Sequence, residues 1–113
     1  MKQSLPTVDP FMAIADSNRR EILRLLSYEA YTINDLVGNF KISRPAVSKH
    51  IKMLEAAGYI QVSEVGRERH CVLSQDGFLA LQQWIDYFDS FWKSKHKKLE
   101  LLLKKRMEER AEK

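Results

Sequence analysis

The side chains between residues 43 and 52 are suited to contacting nucleic acid. Arg44, Ser48, Lys49 and Lys52 bring basic and hydroxyl groups together, and no carboxylate follows until Glu55. A small, basic surface of this kind can lie against phosphates and donate hydrogen bonds to base edges in a major groove. Because a charged helix face is more often simply solvated, the interpretation depends on what positions these residues.

A short amphipathic helix would position them. Val47, Ile51 and Leu54 recur at helical spacing, which places an apolar stripe on the side opposite the basic residues. Ser43 is a typical N-cap, and Gly58 is a typical residue at a helix C-terminus. The pattern therefore predicts one helix between these two residues.

A second helix is expected shortly before this one. Thr32 followed by Asp35 resembles a capping pattern, and Leu36 and Val37 follow as apolar residues. A turn of about four residues would join the two helices, which is the spacing of a helix-turn-helix. A plain helical hairpin is the alternative. Further upstream we expect a turn over residues 28–31, preceded by two helices, a short one after Pro10 and a longer one with Ile22, Leu23, Leu25 and Leu26.

After the predicted helix, the hydrophobic period changes from helical to two, which predicts strands. The apolar residues of the two alternating runs are Ile60, Val62, Cys71 and Leu73. Gly66 lies between the runs and supplies the turn of a β-hairpin. Arg67 and Arg69 lie at its tip, where they could reach a DNA backbone or minor groove. A solvated hairpin with incidental arginines is the alternative.

The residues after Gly77 predict a long last helix with one broad apolar face. The apolar residues at alternating three- and four-residue steps are Phe78, Leu81, Ile85, Phe88, Trp92, Leu99 and Leu102. Lys95 interrupts this register, so we expect a kink or a second helical segment there. A face this apolar on so small a domain is most simply buried against a second copy of the chain, which predicts a homodimer. An aromatic-lined ligand pocket is the alternative.

Residues that could support catalysis lie near one another between residues 86 and 96. Asp86, Asp89, Ser90 and His96 belong to this group. No glycine-rich phosphate loop, nucleophile elbow or supported pair of carboxylates accompanies them. Cys71, on the inward phase of a strand, is expected to be a small buried hydrophobe rather than a reactive thiol. The sequence therefore does not predict an enzyme.

Several stretches of the chain together carry a family resemblance. They read ADSNRREIL at residues 15–23, SRPAVSKHI at 43–51, LEAAG at 54–58, and GRER at 66–69 followed by Leu73. In this order they resemble the second-helix, recognition-helix and wing motifs of ArsR-type winged-helix repressors. One departure is Ser17-Asn18, where that family commonly has Pro-Thr, and both pairs suit a helix start. The resemblance extends from about Phe11 to the C-terminus.

The resemblance implies a dimer built from the first and last helices. The interface residues expected on this basis are Phe11, Leu81, Ile85, Phe88 and Trp92. The pair Phe91-Trp92 with the leucines after it is similar to a subgroup of the family in which the last helix is extended. The lysines of the tail are expected to form a solvated helix face.

The known metal sites of the family are not matched. Thr32 and Asn34 stand where the third-helix site has a Cys-x-Cys pair, and Asp86 and Phe88 stand where the last-helix site has Asp-x-His. Downstream, only His96 could add a ligand to the second site. We therefore expect no metal and no cofactor, and the sequence does not identify a small-molecule inducer.

Composition adds bounds on location and partners. The 113 residues predict one domain, residues 1–113, in which about 76–113 form the dimerisation helix and a basic tail. The net charge is +4, and basic residues outnumber acidic ones by six to three in residues 41–70 and by nine to four in residues 93–113. With one cysteine, no apolar run long enough to span a bilayer and no signal-like N-terminus, we expect a cytoplasmic protein.

These expectations combine into one interpretation. The predicted fold is mainly α with a small β-hairpin, a homodimeric winged helix-turn-helix in the order α-α-α-α-β-β-α. The predicted function is a DNA-binding transcriptional regulator, most simply a repressor of a palindromic operator. A winged-helix module that docks on another protein without specific DNA binding is the alternative. The predicted DNA-binding residues are Ser43, Arg44, Ser48, Lys49, His50, Arg67 and Arg69.

Overall fold

The computed structural model describes residues 8–111, which contain five helices and three strands. The last two residues of the predicted tail lie outside this range. In chain order the elements are α1 Pro10–Ala13, α2 Ser17–Leu26, β1 Tyr31–Thr32, α3 Ile33–Gly38, α4 Arg44–Ala56, β2 Ile60–Val65, β3 Glu68–Leu73 and α5 Asp76–Ala111. The chain divides into two compact units, one ending at Leu81 and one beginning at Gln82.

Side-chain caps fix the starts of the helices that surround the predicted DNA face. The Asp16 carboxylate accepts hydrogen bonds from two backbone N–H groups in the first turn of α2, at 2.8 and 3.1 Å. Thr32 Oγ1 accepts from the Asp35 N–H at 3.0 Å, and Ser43 Oγ accepts from the Ala46 N–H at 3.3 Å. The predicted caps of α3 and α4 are therefore confirmed, because each side chain satisfies a donor that the helix itself leaves unpaired.

The core of the first unit forms around α2, α3 and α4. The predicted stripe of α4, consisting of Val47, Ile51 and Leu54, is fully buried or nearly so. It packs in one cluster with apolar residues of α2, α3 and the sheet, among them Ile22, Leu26, Leu36, Ile60 and Cys71. Burial of this stripe fixes which side of α4 faces away from the core.

The strands form an antiparallel sheet in the order β1-β3-β2. The predicted hairpin is present, with Ile60 opposite Leu73 and Val65 opposite Glu68. β1 was not predicted, and the expected turn over residues 28–31 was wrong at its last residue, because Tyr31 pairs with Cys71. A two-residue strand has no visible alternation, and its partner lies 40 residues further along the chain.

The junction of α4, β2 and α5 is closely packed. Gly58 follows the C-terminus of α4 with φ +84°, and its carbonyl accepts a hydrogen bond from the Gly77 N–H at 2.8 Å. Tyr59 is fully buried, and its hydroxyl donates to the Pro10 carbonyl at 2.6 Å. Its ring makes an edge contact with Phe78, with ring centroids 4.9 Å apart. Burial raises the pKa of Tyr59 to about 12, and the negative charge of Asp9 acts in the same direction.

The second unit consists of α5 from Gln82 onward. The second helical segment expected at Lys95 as the alternative to a kink was wrong, because one helix is unbroken from Asp76 to Ala111. Lys95 does not interrupt it because lysine is a good helix former and its ammonium lies over the Phe91 ring, 5.4 Å from the centroid. No helix within residues 8–111 is both long and apolar enough to cross a membrane.

Candidate nucleic-acid interface

The predicted recognition helix is presented by a helix-turn-helix. Residues 39–43 connect α3 to α4, and Phe40 and Ile42 are partly buried against the core, so the turn is anchored from inside. On the outward side of α4, Arg44, Lys49 and Lys52 are exposed, whereas Ser48 is half-buried. The predicted basic face is therefore accessible.

The β2–β3 hairpin presents a second group of charged side chains. Gly66 and Arg67 form the turn, and Gly66 has φ +65°, a conformation that favours glycine. Arg69 lies in β3 opposite Glu64 of β2. Arg67, Glu68 and Arg69 are all exposed, as a wing that contacts DNA would require.

α3, α4 and the hairpin border one concavity of about 360 Å³. The residues that line it are Thr32, Ile33, Asn34, Arg44, Ser48, Arg67, Glu68 and Arg69. Four of the seven predicted DNA-binding residues, namely Arg44, Ser48, Arg67 and Arg69, are thus brought together. Ser43 is occupied as the cap of α4, Lys49 is exposed outside the concavity, and His50 is half-buried.

Asn34 is a residue of this surface that the sequence did not identify. Its side-chain carbonyl accepts a hydrogen bond from the Arg44 guanidinium. In the sequence, position 34 is notable only as a metal-ligand position, where Asn34 is a poor ligand for soft metals. A polar side chain in the first turn of α3 was the available signal, but only the geometry of the turn shows that it reaches Arg44.

His50 is directed toward α2. Its Nδ1 lies 3.2 Å from Arg19 Nη1. Because an arginine can only donate, Nδ1 is the acceptor of this hydrogen bond. The same guanidinium donates through Nε to the Ala13 carbonyl at 2.5 Å and through Nη2 to the Met12 carbonyl at 3.2 Å. Arg19 therefore links α1, α2 and α4.

The N-terminus of α2 adds a negative charge beside this link. The backbone N–H of Arg19 donates to the Asp16 carboxylate and lowers the pKa of that carboxyl group. The Asn18 N–H and the positive charge of the Arg19 side chain act in the same direction, while burial opposes them. Asp16 is consequently an ionised cap at neutral pH.

The predicted absence of the family's metal sites remains a prediction. Within residues 8–111 no three His, Cys, Asp or Glu side chains are grouped so that they could hold a metal ion. Thr32 and Asn34, at the first family position, are engaged with Asp35 and Arg44. Cys71 is fully buried, and burial raises the pKa of its thiol, which makes the reactive thiolate less accessible.

The second unit carries a continuous aromatic surface. Ile85, Phe88 and Trp92 are 53%, 38% and 56% exposed. Phe88 makes edge contacts with the Trp84 and Phe91 rings, with centroids 4.9 and 6.5 Å apart. Exposed apolar residues continue along this unit at Leu99, Leu101, Leu102, Leu103 and Met107.

The first unit has its own apolar surface. Phe11 on α1 is 40% exposed, and Leu81 is partly buried against the core. Leu81 also borders an open apolar cavity of about 570 Å³, whose other lining residues are Ile14, Arg20, Leu23, Arg24, Ser27, Leu73 and Phe78. Each unit therefore exposes apolar residues among those predicted for the dimer interface.

A helix-turn-helix followed by a β-hairpin defines the class of winged-helix DNA-binding regulators. Residues 16–62 match the family model described as "Bacterial regulatory protein, arsR family". The crystal structure of the ArsR family transcriptional regulator RHA00566 is 34% identical and superimposes with a TM-score of 0.71, covering 76% of this chain and 89% of that one. The chain belongs to the ArsR family of transcriptional regulators.

Two characterised relatives are regulators as well. The chain is 33% identical to the HTH-type transcriptional regulator Rv2034 of Mycobacterium tuberculosis over 78 residues, which cover 69% of this chain and 73% of the relative. It is 39% identical to the transcriptional repressor SdpR of Bacillus subtilis over 57 residues, which cover 50% of this chain and 63% of the relative. Proteins of this family regulate transcription and are not enzymes. The predicted family and winged-helix fold are therefore confirmed.

Proposed function

We propose that this protein represses transcription by binding a palindromic operator as a homodimer. The observation that carries the proposal is the grouping of Arg44, Ser48, Arg67 and Arg69 around one concavity bordered by α3, α4 and the hairpin. Basic groups contributed by a recognition helix and a wing match a duplex, which presents base edges beside two phosphate backbones.

The proposed contacts divide by chemistry. Arg44 and Ser48 would face base edges, because they lie in the first half of α4 and recognition helices contact bases with their N-terminal residues. Lys49, exposed on α4, would contact phosphate, and Arg67 and Arg69 would contact the backbone or the minor groove. Ser43 and His50 would support the recognition helix.

The proposed dimer buries the exposed apolar residues described above. Its interface residues are Phe11, Leu81, Ile85, Phe88 and Trp92. Large exposed apolar surfaces are uncommon on monomers, and a two-fold axis presents the same face of each subunit to the other. We further propose that residues 1–113 act as one winged helix-turn-helix domain, with residues 76–113 as its dimerisation helix and basic tail.

A palindromic operator follows from the proposed two-fold symmetry. Two recognition helices related by that axis would read two half-sites about one DNA turn apart. SdpR is named a transcriptional repressor, and the similarity of the present chain to it favours repression over activation. We propose that the protein acts in the cytoplasm and that metals do not regulate it.

Selection of genomic DNA fragments by the purified protein tests this function. We expect one enriched motif with two inverted half-sites, retained at a salt concentration that removes random fragments. A variant with both Arg44→Ala and Arg67→Ala is the matched control and should enrich no motif. If the unaltered protein enriches nothing at any salt concentration, the winged helix is better explained as a protein-docking module.

A further inference from the structure

We propose that Arg19 and His50 form a positioning pair that sets the orientation of α4 for operator recognition. On this view His50 acts through the helix and does not contact DNA. The inference rests on the proposed DNA-binding function, which it deepens by assigning roles to two residues. Arg19 lies outside the predicted DNA-binding set and outside the concavity.

Arg19 is a fixed point because three acceptors hold its guanidinium. Two of them are the carbonyls of Met12 and Ala13, which are the last two residues of α1. The end of a helix leaves carbonyls without intrahelical partners, and the arginine supplies a donor to that of Ala13. The Met12 carbonyl also accepts from the Ala15 N–H at 3.1 Å. Its planar fork can bind several acceptors at once, which a lysine ammonium on a flexible chain does not reproduce.

The third acceptor, His50 Nδ1, belongs to α4. His50 is half-buried on α4, and its ring faces α2. This hydrogen bond restrains rotation of α4 about its own axis, in addition to the packing of the buried stripe. Such a rotation would move Ser48 and Lys49 relative to a bound duplex.

A double-mutant cycle on operator affinity separates positioning from direct contact. His50→Leu removes the acceptor, and Arg19→Lys keeps the charge but loses the fork. We expect each to weaken operator binding about tenfold, the size of one hydrogen bond to a charged group. Because the two residues act as one unit, the double variant should also lose about tenfold. Arg20→Lys, next to Arg19 on α2, is the matched control and should bind like the unaltered protein.

A conservative variant adds a second criterion. His50→Asn places a carbonyl oxygen close to the position of Nδ1, so it should restore most of the affinity that His50→Leu loses. A loss of about a hundredfold in the double variant overturns the inference, because the effects of independent residues add. Equal losses for His50→Asn and His50→Leu overturn it as well, and this comparison remains decisive if Arg19→Lys does not fold.

A measurement without DNA separates this inference from the proposed function. The ¹⁵N signal of His50 Nδ1 should show a hydrogen-bond acceptor in the unaltered protein and should shift in Arg19→Lys but not in Arg20→Lys. If the protein binds no operator while this shift occurs, the pair stands and the DNA-binding function fails. If the signal is the same in all three proteins, the pair does not exist.

Discussion

Individual side chains on the proposed DNA face differ in what holds them. Arg44 is tied to Asn34, so its guanidinium is pre-oriented within the concavity. Lys49 and Arg67 are exposed on α4 and at the turn of the hairpin. A pre-oriented arginine suits base recognition, whereas a flexible lysine suits the diffuse charge of a phosphate backbone.

Removing a basic side chain that binds phosphate should change the salt dependence of binding. We expect Lys49→Ala and Arg67→Ala to weaken binding to all DNA sequences. Each should reduce the slope of log affinity against log salt by about one unit for every phosphate that the variant no longer neutralises. A salt titration of operator binding measures this, with Lys97→Ala in the second unit as a control for removal of one positive charge. Unchanged slopes in both variants would mean that the DNA face is assigned wrongly.

Metals should leave operator binding unaffected. The oxygen of Thr32 is engaged as a helix cap, that of Asn34 by Arg44, and one carboxylate oxygen of Asp86 by Gln82 at 2.8 Å. We expect the same operator affinity with a chelator and with stoichiometric Zn²⁺ or Cu⁺, measured alongside the metal content of the protein. Tight stoichiometric uptake together with loss of binding would reveal a site elsewhere, with His70, Cys71 and His96 as the first residues to test.

At the scale of elements, the start of α5 is positioned by its close approach to Tyr59. A Cβ at Gly77 would lie 2.8 Å from the Tyr59 ring, closer than real contacts allow. Tyr59 cannot move away easily, because its ring contacts Phe78 and its hydroxyl is bonded to the Pro10 carbonyl. The absence of a side chain at residue 77 therefore allows α5 to begin against the α4–β2 junction.

Gly77→Ala should destabilise the first unit even though alanine favours helices. We expect a loss of about 1–3 kcal/mol in the free energy of unfolding, since the added methyl group overpacks a rigid ring. Gly38→Ala is the matched control. A Cβ there meets nothing within 4 Å, so this variant should be neutral or gain up to about 1 kcal/mol. Denaturant unfolding of both variants would contradict this account if Gly77→Ala were as stable as the control.

The elements that the sequence predicted are those specified by local signals. Caps at Thr32 and Ser43, the stripe of α4 and the turn at Gly66 each lie within a few residues of what they determine. β1 could not be predicted because it is defined by pairing with a distant strand. The same holds for the hydrogen bond between Arg19 and His50, which are 31 residues apart. At Lys95, a polar residue in the apolar register of the last helix predicts that the helix changes there. The helix continues because its continuity depends on backbone hydrogen bonds and not on an unbroken row of apolar side chains.

At the scale of the whole molecule, the proposed function depends on two copies of the chain. One winged helix contacts one half-site, and single modules bind with few base contacts. The exposed residues of α5 are the means proposed here for pairing the modules. Oligomeric state and operator specificity should therefore change together.

Ile85→Glu tests that link. A charge buried without a partner costs several kcal/mol, so the variant should be monomeric or prone to aggregate. Losing the second half-site should remove much of the difference in binding free energy between the operator and non-specific DNA, which is roughly 4–10 kcal/mol for DNA-binding proteins of this kind. Gln83→Glu, two residues away on another side of the helix, is the control and should stay dimeric. Sedimentation and operator binding should be measured on the same preparation. A dimeric Ile85→Glu protein with full operator affinity would show that Ile85 is not in the dimer interface.

The placement of the tryptophans has a spectroscopic consequence. Trp84 and Trp92 are the two tryptophans of the chain, and both lie in the second unit, each 56% exposed. Indole emission moves to longer wavelengths as the ring becomes more hydrated, so the intrinsic fluorescence of this protein reports on the surface of α5. The recognition helix and the hairpin contain no tryptophan. Dilution of a dimer should therefore redden the emission, whereas changes confined to the DNA face should leave its colour unaltered.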